Sequence, residues 1–339
     1  MEPQNPKVSV IVVTYNQQDT IGQTIESILM QRCNFRFEIQ LSDDASSDGT
    51  SGICRRYAAA YPHIIRYHRN ETNKGVRDNY FDALLRCNAP YIADCAGDDY
   101  WSDPCKLQKE ADILDSDPSI GLVHTAWEYV DALTGAVTPS PTPAARAHML
   151  KPKTSKGELF LPLLLNRGIM VIHLCTALYR KSIFLEAIQA DPQMFRNPEF
   201  TSEDMLLNLL YAKESGIAYI PDVTLRYRTG HDSISSIRNH LRTFDFYFGS
   251  LKLSCHIARK YGIPDSTTLP VHSSDASFLF AQAYLGMDRT RVENLTAFMR
   301  EHHIPLSRKD SILMRTLPFR PIWHCAAALK RIMARMRHR

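Results

Sequence analysis

The chain has no run of about 18 uncharged apolar residues, so no membrane-spanning helix is expected. Its first residues, Met1-Glu2-Pro3-Gln4-Asn5-Pro6-Lys7, lack the basic-then-apolar layout of a secretory signal and lead straight into a strand. The eight cysteines include no Cys-x-x-Cys pair. Together these predict a reduced, cytoplasmic protein with structural thiols. There is no Gly-x-Gly-x-x-Gly and no Walker lysine motif, which removes the usual dinucleotide and P-loop readings. No internal repeat is visible. A general excess of positive charge is also missing. Seven of the 40 Lys and Arg residues fall in 315–339, where there is no acid, which leaves 33 against 36 acidic residues elsewhere. A mildly acidic body with one local basic element argues against nucleic-acid binding.

What is present is ordinary globular material: 339 residues, 44% apolar and 22% charged. That suffices for one large α/β domain with an appendage, or for two domains. The β-branched run 8–13 predicts a strand buried on both faces of a parallel sheet. A helix bearing Ile21, Ile25, Ile28 and Leu29 follows, with Asp19 or Thr20 as cap. Strands at 35–41 and 64–68 and helices carrying Ile53 and Tyr57, then Tyr80 to Cys87, lead to a strand at 91–95. Four strand–helix alternations in a hundred residues predict a doubly wound sheet. Beyond it come a helix (106–114), a strand (120–130) and an exposed excursion (132–154). A helix (159–165), a strand (171–179), a helix opened by Ser202-Glu203-Asp204 and short strands at 218–220 and 223–227 complete the domain. After Asn239 only helical patterns remain, at 240–262, 273–286 and 290–303, with a break at Leu269-Pro270.

Four constellations could carry chemistry. Gly97-Asp98-Asp99 stands at a strand end, where open α/β sheets place ligands. Two hard oxygen donors there suit a divalent cation that carries phosphates, although a loop with an Asp cap reads the same. Asp43-Asp44 ends the second strand and could accept hydrogen bonds from a base or a ribose. Alternatively it shapes an Asx-turn, the role expected of Asp48. Glu203-Asp204 opens a helix, where acids favour the dipole and where a general base could also sit. His231 could be a metal ligand or a phosphate contact, or a plain surface histidine.

Taken in order, the segments are Thr14-Tyr15-Asn16, Asp43-Asp44-x-Ser46-x-Asp48-Gly49-Thr50, Asn73-x-Gly75-x-x-x-Asn79, Gly97-Asp98-Asp99-x-Trp101 and Glu203-Asp204. This series resembles the family 2 glycosyltransferases of GT-A fold, over roughly residues 7–235. The resemblance implies a Rossmann-like GT-A α/β domain (1–238), and the helical patterns and charge beyond it predict a helical appendage (239–314) and a basic amphipathic tail helix (315–339). It implies a nucleotide-sugar donor, UDP favoured, with Mg²⁺ or Mn²⁺, and inversion at the anomeric carbon. Thr14, Tyr15, Asn16, Asp44, Lys74 and Asp98 would bind the nucleotide sugar. Asp98, Asp99 and His231 would hold the metal, and Asp204 would be the catalytic base. The acceptor would be a hydroxyl of a glycan or lipid-linked saccharide in surface polysaccharide assembly.

Two departures stand out. Ala96 occupies the position where the family commonly has Asp or Glu, and Asp94 lies two residues back on the same strand face. No Gln-x-x-Arg-Trp occurs, which points away from the processive synthases. A non-catalytic nucleotide-sugar or membrane-docking protein is the alternative that Ala96 supports. A nucleotidyltransferase would need a glycine-rich basic loop, and 14–19 has neither glycine nor base. The tail combines seven basic residues with Trp323 and an apolar stripe. That composition suits a peripheral contact with the cytoplasmic face of a membrane, and it also suits a helix docked on the body.

Overall fold

The structure, a computed structural model, describes residues 5–166, 168–230 and 239–315. His231 and the tail from residue 316 onward lie outside the described residues.

Four parallel strands form one half of the sheet. β1 (Val8–Thr14) runs between β2 (Phe37–Asp43) and, later in the chain, β4 (Tyr91–Asp94), and β3 (Ile65–Arg69) lies outside β2. Val8, Val10 and Val12 are fully buried, as the β-branched run requires of a strand covered on both faces. The crossovers are α1 (Ile21–Leu29), α2 (Thr50–Ala60) and α3 (Val76–Arg86). α1 turns Ile21, Ile25 and Ile28 into the core. The register pairs Thr14 with Asp43 and Ile11 with Asp94, so the polar ends of β1, β2 and β4 emerge on one edge.

The other half is mixed rather than doubly wound. After β5 (Tyr100–Trp101) and α4 (Lys106–Ser116), β6 (Ile120–Asp131) and β7 (Val137–Pro139) form an antiparallel pair. Short helices α5 (Thr142–Arg146) and α6 (Phe160–Leu165) precede β8 (Ala177–Arg180). Then come α7 (Lys181–Ala190), α8 (Pro192–Arg196), α9 (Glu203–Glu214) and β9 (Gly216–Thr229). The sheet order is β3-β2-β1-β4-β8-β6-β9-β5, with β8 antiparallel to both of its neighbours.

Three local expectations need correction. The strand expected at 171–179 is only β8, preceded by a 3-10 turn, Leu174–Thr176, whose cap is the His173 side chain. Val171 and Ile172 are buried as loop residues, which a hydrophobic run cannot signal. The two short strands at 218–220 and 223–227 are one strand, β9. Its pairing with β6 jumps from Thr125↔Ile220 to Ala126↔Val223, so exposed Pro221 and Asp222 bulge out without ending the ladder. The excursion at 132–154 is partly anchored. β7 pairs with β6, Thr142 donates to the Met170 carbonyl at 2.7 Å, and Thr154 N–H donates to the Ile217 carbonyl at 2.9 Å.

The chain divides into two compact units: Met1–Asn197 with Glu203–His231, and Pro198–Ser202 with Asp232–Arg339. In the second, α10 (His240–Lys260), α11 (Asp265–Leu285) and α12 (Arg289–Glu301) pack around Phe244, Leu251, Leu279, Phe280 and Leu295, followed by α13 (Arg308–Arg315). α11 runs through Pro270, where a break was expected. The proline sits in the second turn and forfeits only the bond to the Ser266 carbonyl.

Candidate active site

The edge formed by the ends of β1, β2 and β4 gathers most of the candidate residues. Thr14 ends β1 buried and accepts Asp44 N–H on its carbonyl at 2.9 Å. Tyr15 is 47% exposed, and Asn16 adopts φ 52°, a left-handed turn that asparagine tolerates. Asn16 N–H donates to Ser46 Oγ at 3.0 Å, and Ser47 N–H to Asn16 Oδ1 at 2.8 Å. The loops after β1 and β2 are thereby stitched together.

The Asp43-Asp44 pair is fully committed to the protein. Asp43 accepts from Ser46 N–H at 2.9 Å, from Tyr67 at 2.9 Å and from the Ser51 hydroxyl, with Arg69 Nε 3.5 Å away. Burial alone would raise its pKa, but these donors outweigh it and hold the carboxyl below its ordinary range. Asp44 accepts from Asn70 Nδ2 at 2.8 Å and from the N–H groups of Lys74 and Gly75 at 2.9 Å each. It ties down the loop between β3 and α3. Lys74 Nζ reaches Asp82 at 2.9 Å.

The turn after β4 is different. A side chain at Gly97 would collide with Gln17 and Thr14, its Cβ falling 2.3 and 2.8 Å from their oxygens, so only glycine lets the turn approach β1. Thr20 and Thr24 of the α1 start donate to the Gly97 carbonyl at 2.8 and 3.1 Å, and Thr24 to the Asp99 carbonyl at 2.6 Å. Thr20 thus binds the turn instead of capping its own helix. Asp98 is half-buried and Asp99 is buried. Asp99 Oδ1 accepts Arg228 N–H at 2.9 Å, while Oδ2 has no donor in hydrogen-bond geometry. Burial, then the charge of Asp98, pushes the Asp99 carboxyl well above its ordinary range. Arg228 and the Cys175 thiol pull the other way. Arg228 also donates to the Asp98 carbonyl and to Gln23, and its guanidinium lies 4.9 Å from the Tyr100 ring centre.

Arg228, His173 and Cys175 are the residues that sequence reasoning did not place here. Cys175 Sγ accepts Ala96 N–H at 3.3 Å, and its carbonyl accepts Trp101 Nε1 at 2.9 Å. Asp99, His173 and Cys175 each offer one ligating atom, all within 4.8 Å of one another. The alternation of apolar residues around 171–179 concealed this role behind a strand pattern.

Glu203 and Asp204 start α9, and both are half-buried. Burial raises both carboxyls, and for Glu203 the charge of Asp204 adds to it. Asp204 is close enough for its charge to act on Asp94 and on Cys175. Asp94 is itself buried and pushed up to about 8 by burial first. The hydroxyls of Tyr80 and Tyr179, 2.5 Å apart, act in the opposite sense.

The sequence profile of the family described as glycosyl transferase family 2 matches residues 9–187, just over half of the chain. The chain belongs to that family. The uncharacterized protein Rv1520 of Mycobacterium tuberculosis is 40% identical over 111 residues, 33% of this chain and 32% of its own. EpsE of Bacillus subtilis, a glycosyltransferase by name, is 39% identical over 126 residues, 37% of this chain and 45% of its own. TuaG of the same organism, named for teichuronic acid biosynthesis, is 34% identical over 109 residues, covering 32% and 42%. The chain therefore spans about a third to under a half of these relatives' length. Among solved structures, S. aureus TarS 1-349 with UDP-GlcNAc superposes with a TM-score of 0.60 at 19% identity, over 95% of this chain and 87% of that one. The Pyrobaculum calidifontis mannosyltransferase PcManGT with GDP-Man and Mn²⁺ gives 0.52 at 17%, over 97% and 87%. At these identities the likeness bears on fold alone. This family 2 chain has the expected GT-A α/β architecture, with helices appended at its C-terminal side.

Proposed function

We propose that the protein is an inverting, non-processive glycosyltransferase. It would move one sugar from a nucleoside-diphosphate sugar, with UDP favoured, to a hydroxyl of a glycan or lipid-linked glycan in surface polysaccharide assembly. The observation that carries this reading is that two acidic groups approach one another around Cys175, on which both charges act. One is the Asp98-Asp99 turn, clasped by Arg228. The other is Asp204, within electrostatic reach of that turn's support and raised in pKa.

In this scheme Thr14, Tyr15 and Asn16 line the nucleoside pocket, and Asp44 shapes it by fixing the Lys74-Gly75 backbone. Asp98 and Asp99 fit a divalent Mg²⁺ or Mn²⁺. Asp99 has a buried oxygen without a donor, and Asp98 offers a half-exposed carboxylate beside it. His231 remains the third ligand candidate. Such an ion supplies positive charge to the departing diphosphate. Asp204 takes the acceptor proton as the hydroxyl oxygen bonds to the anomeric carbon and the bond to the leaving phosphate breaks. Its raised pKa makes it a better base at neutral pH than an ordinary carboxylate.

The test is a thermal-shift and turnover screen of UDP, GDP and dTDP sugars with and without Mn²⁺. A ligand that binds only the folded state raises Tm by mass action. A metal-dependent shift with one nucleotide, followed by nucleotide release, supports the transferase. Binding without any turnover favours a non-catalytic nucleotide-sugar-binding protein, and no shift with any nucleotide sinks the transferase and favours the membrane-docking alternative. Among the described residues no helix is long and apolar enough to cross a membrane. Contact with a membrane surface is assigned to residues 315–339 on charge alone. Deleting them should move the protein out of the membrane fraction, and unchanged partitioning ends that part of the proposal.

A further inference from the structure

We propose that Asp99, His173 and Cys175 form a site for a soft or borderline divalent cation, with zinc as the natural occupant. The site shares Asp99 with the position proposed for Mg²⁺ or Mn²⁺, so an ion held here leaves Asp98 to face the cation that a diphosphate donor brings. The three side chains come from two segments: the turn after β4 and the 3-10 turn before β8. All three are buried, and one ligating atom of each lies within 4.8 Å of the others. Tetrahedral zinc at its usual bond lengths holds such atoms about 3.4–3.6 Å apart. Small side-chain rotations therefore close the remaining gap.

The residues show unmet needs that a cation would satisfy. Asp99 Oδ2 is buried with no donor in hydrogen-bond geometry, only the weakly donating Cys175 thiol acting on the carboxyl, an arrangement that costs free energy unless a proton or an ion completes it. The His173 ring is buried, and a neutral imidazole offers a lone pair to a metal without losing a proton. That lone pair now meets Cys175 N–H at 3.2 Å, a long contact that ligation exchanges for a bond to the ion. With Zn²⁺ bound, one carboxylate, one thiolate and one neutral imidazole make the group electrically neutral, as a dry interior requires. Thiolate and imidazole select zinc over magnesium or manganese, which favour oxygen donors. The fourth position is left to water. A cation here ties the Gly97-Asp98-Asp99 turn to the segment before β8 by bonds far stronger than the present sulfur contact to Ala96 N–H.

The site can be tested without any nucleotide, so its failure and the failure of the transferase reading are separate results. The full chain, purified without a metal-affinity tag, is stripped with chelator, equilibrated with Zn²⁺ and assayed for bound metal. A parallel sample takes Co²⁺ and is read for the thiolate-to-cobalt charge-transfer band. The expected result is one zinc per chain and a clear band, both lost in Cys175→Ser and in His173→Asn. Serine keeps the acceptor for Ala96 N–H, and asparagine keeps an acceptor for the 3-10 turn. Near-ultraviolet circular dichroism checks that each variant is folded. Should Cys175→Ser fail to fold, His173→Asn and Asp99→Asn decide by the same readouts. A folded wild type that retains no zinc overturns the proposal. So does zinc bound without the band, or zinc and band that survive in the folded variants.

Discussion

Two aspartate pairs end neighbouring strands of the same sheet, and they are built to opposite ends. Asp43-Asp44 is saturated: every carboxylate oxygen has at least one protein donor, and Asp43 is held ionised. Asp98-Asp99 is left with a buried oxygen unmatched and with Asp99 pushed toward its neutral form. A carboxylate that the fold has satisfied is scaffolding, and one that the fold has desolvated without satisfying is poised for a ligand. The sequence writes both as Asp-Asp, and only the donors around them tell the two apart.

The comparison can be broken most sharply at Asp204, whose charge acts on Cys175 beside the turn. Asp204→Asn should cut turnover by about 10²–10⁴-fold, the usual worth of a general base, with nucleotide binding kept. In the wild type, turnover should rise with pH through the raised pKa of Asp204, since only the ionised form accepts a proton. A pH profile flat from 5 to 9, on the order of the range a buried carboxylate spans, would remove Asp204 from that role.

Next come the two pairs themselves. Asp43→Asn should cost about 3 kcal/mol in urea unfolding, because it strips a buried, multiply bonded anion from beside Arg69. The lowered pKa places this stability above the ordinary carboxylate range, to be lost as pH falls through the folded value. In the metal-free protein Asp99→Asn should cost less stability than Asp43→Asn, since burial and the charge of Asp98 already work against the Asp99 charge, yet it should abolish metal-dependent nucleotide binding. Equal unfolding costs for the two variants would erase the contrast.

Gly97→Ala should weaken nucleotide binding by roughly tenfold, because its Cβ must displace Thr14 and Gln17 from the β1 edge. Isothermal titration would show it. A further effect, read by pH, is expected at Asp94. Its folded pKa of about 8 lies above the ordinary 3.8, so the native state keeps a proton that the unfolded chain has released. Wild-type stability should therefore decline as pH rises between those values. Asp94→Asn should flatten the decline, visible as a smaller fall in Tm between the two ends.

Much of the scaffold was legible because its signals are local. The valine and isoleucine run of β1 and the helical spacing of Ile21, Ile25 and Ile28 each point to one structure. Gly97-Asp98-Asp99 could be read as a strand-end turn from its own residues. What remained hidden depends on partners distant in sequence. Arg228 meets Asp99 across 129 positions, and Cys175 meets Ala96 across 79, with no pattern in either segment to announce it. Asp44 was singled out as a ligand-facing residue, but its commitment to Asn70, Lys74 and Gly75 needed the folded loop. The continuity of β9 was missed because Pro221 ordinarily ends a strand, and here a two-residue bulge carries it past the ladder.

The Arg228 clasp sets an order of events during synthesis. The acidic turn leaves the ribosome early, but the backbone N–H that fixes Asp99 and the guanidinium that caps Asp98 belong to the last strand of the unit. Until that strand has emerged and paired with β6, a growing chain carries the turn without its fastening. The turn is then fastened late and all at once, when the first unit closes.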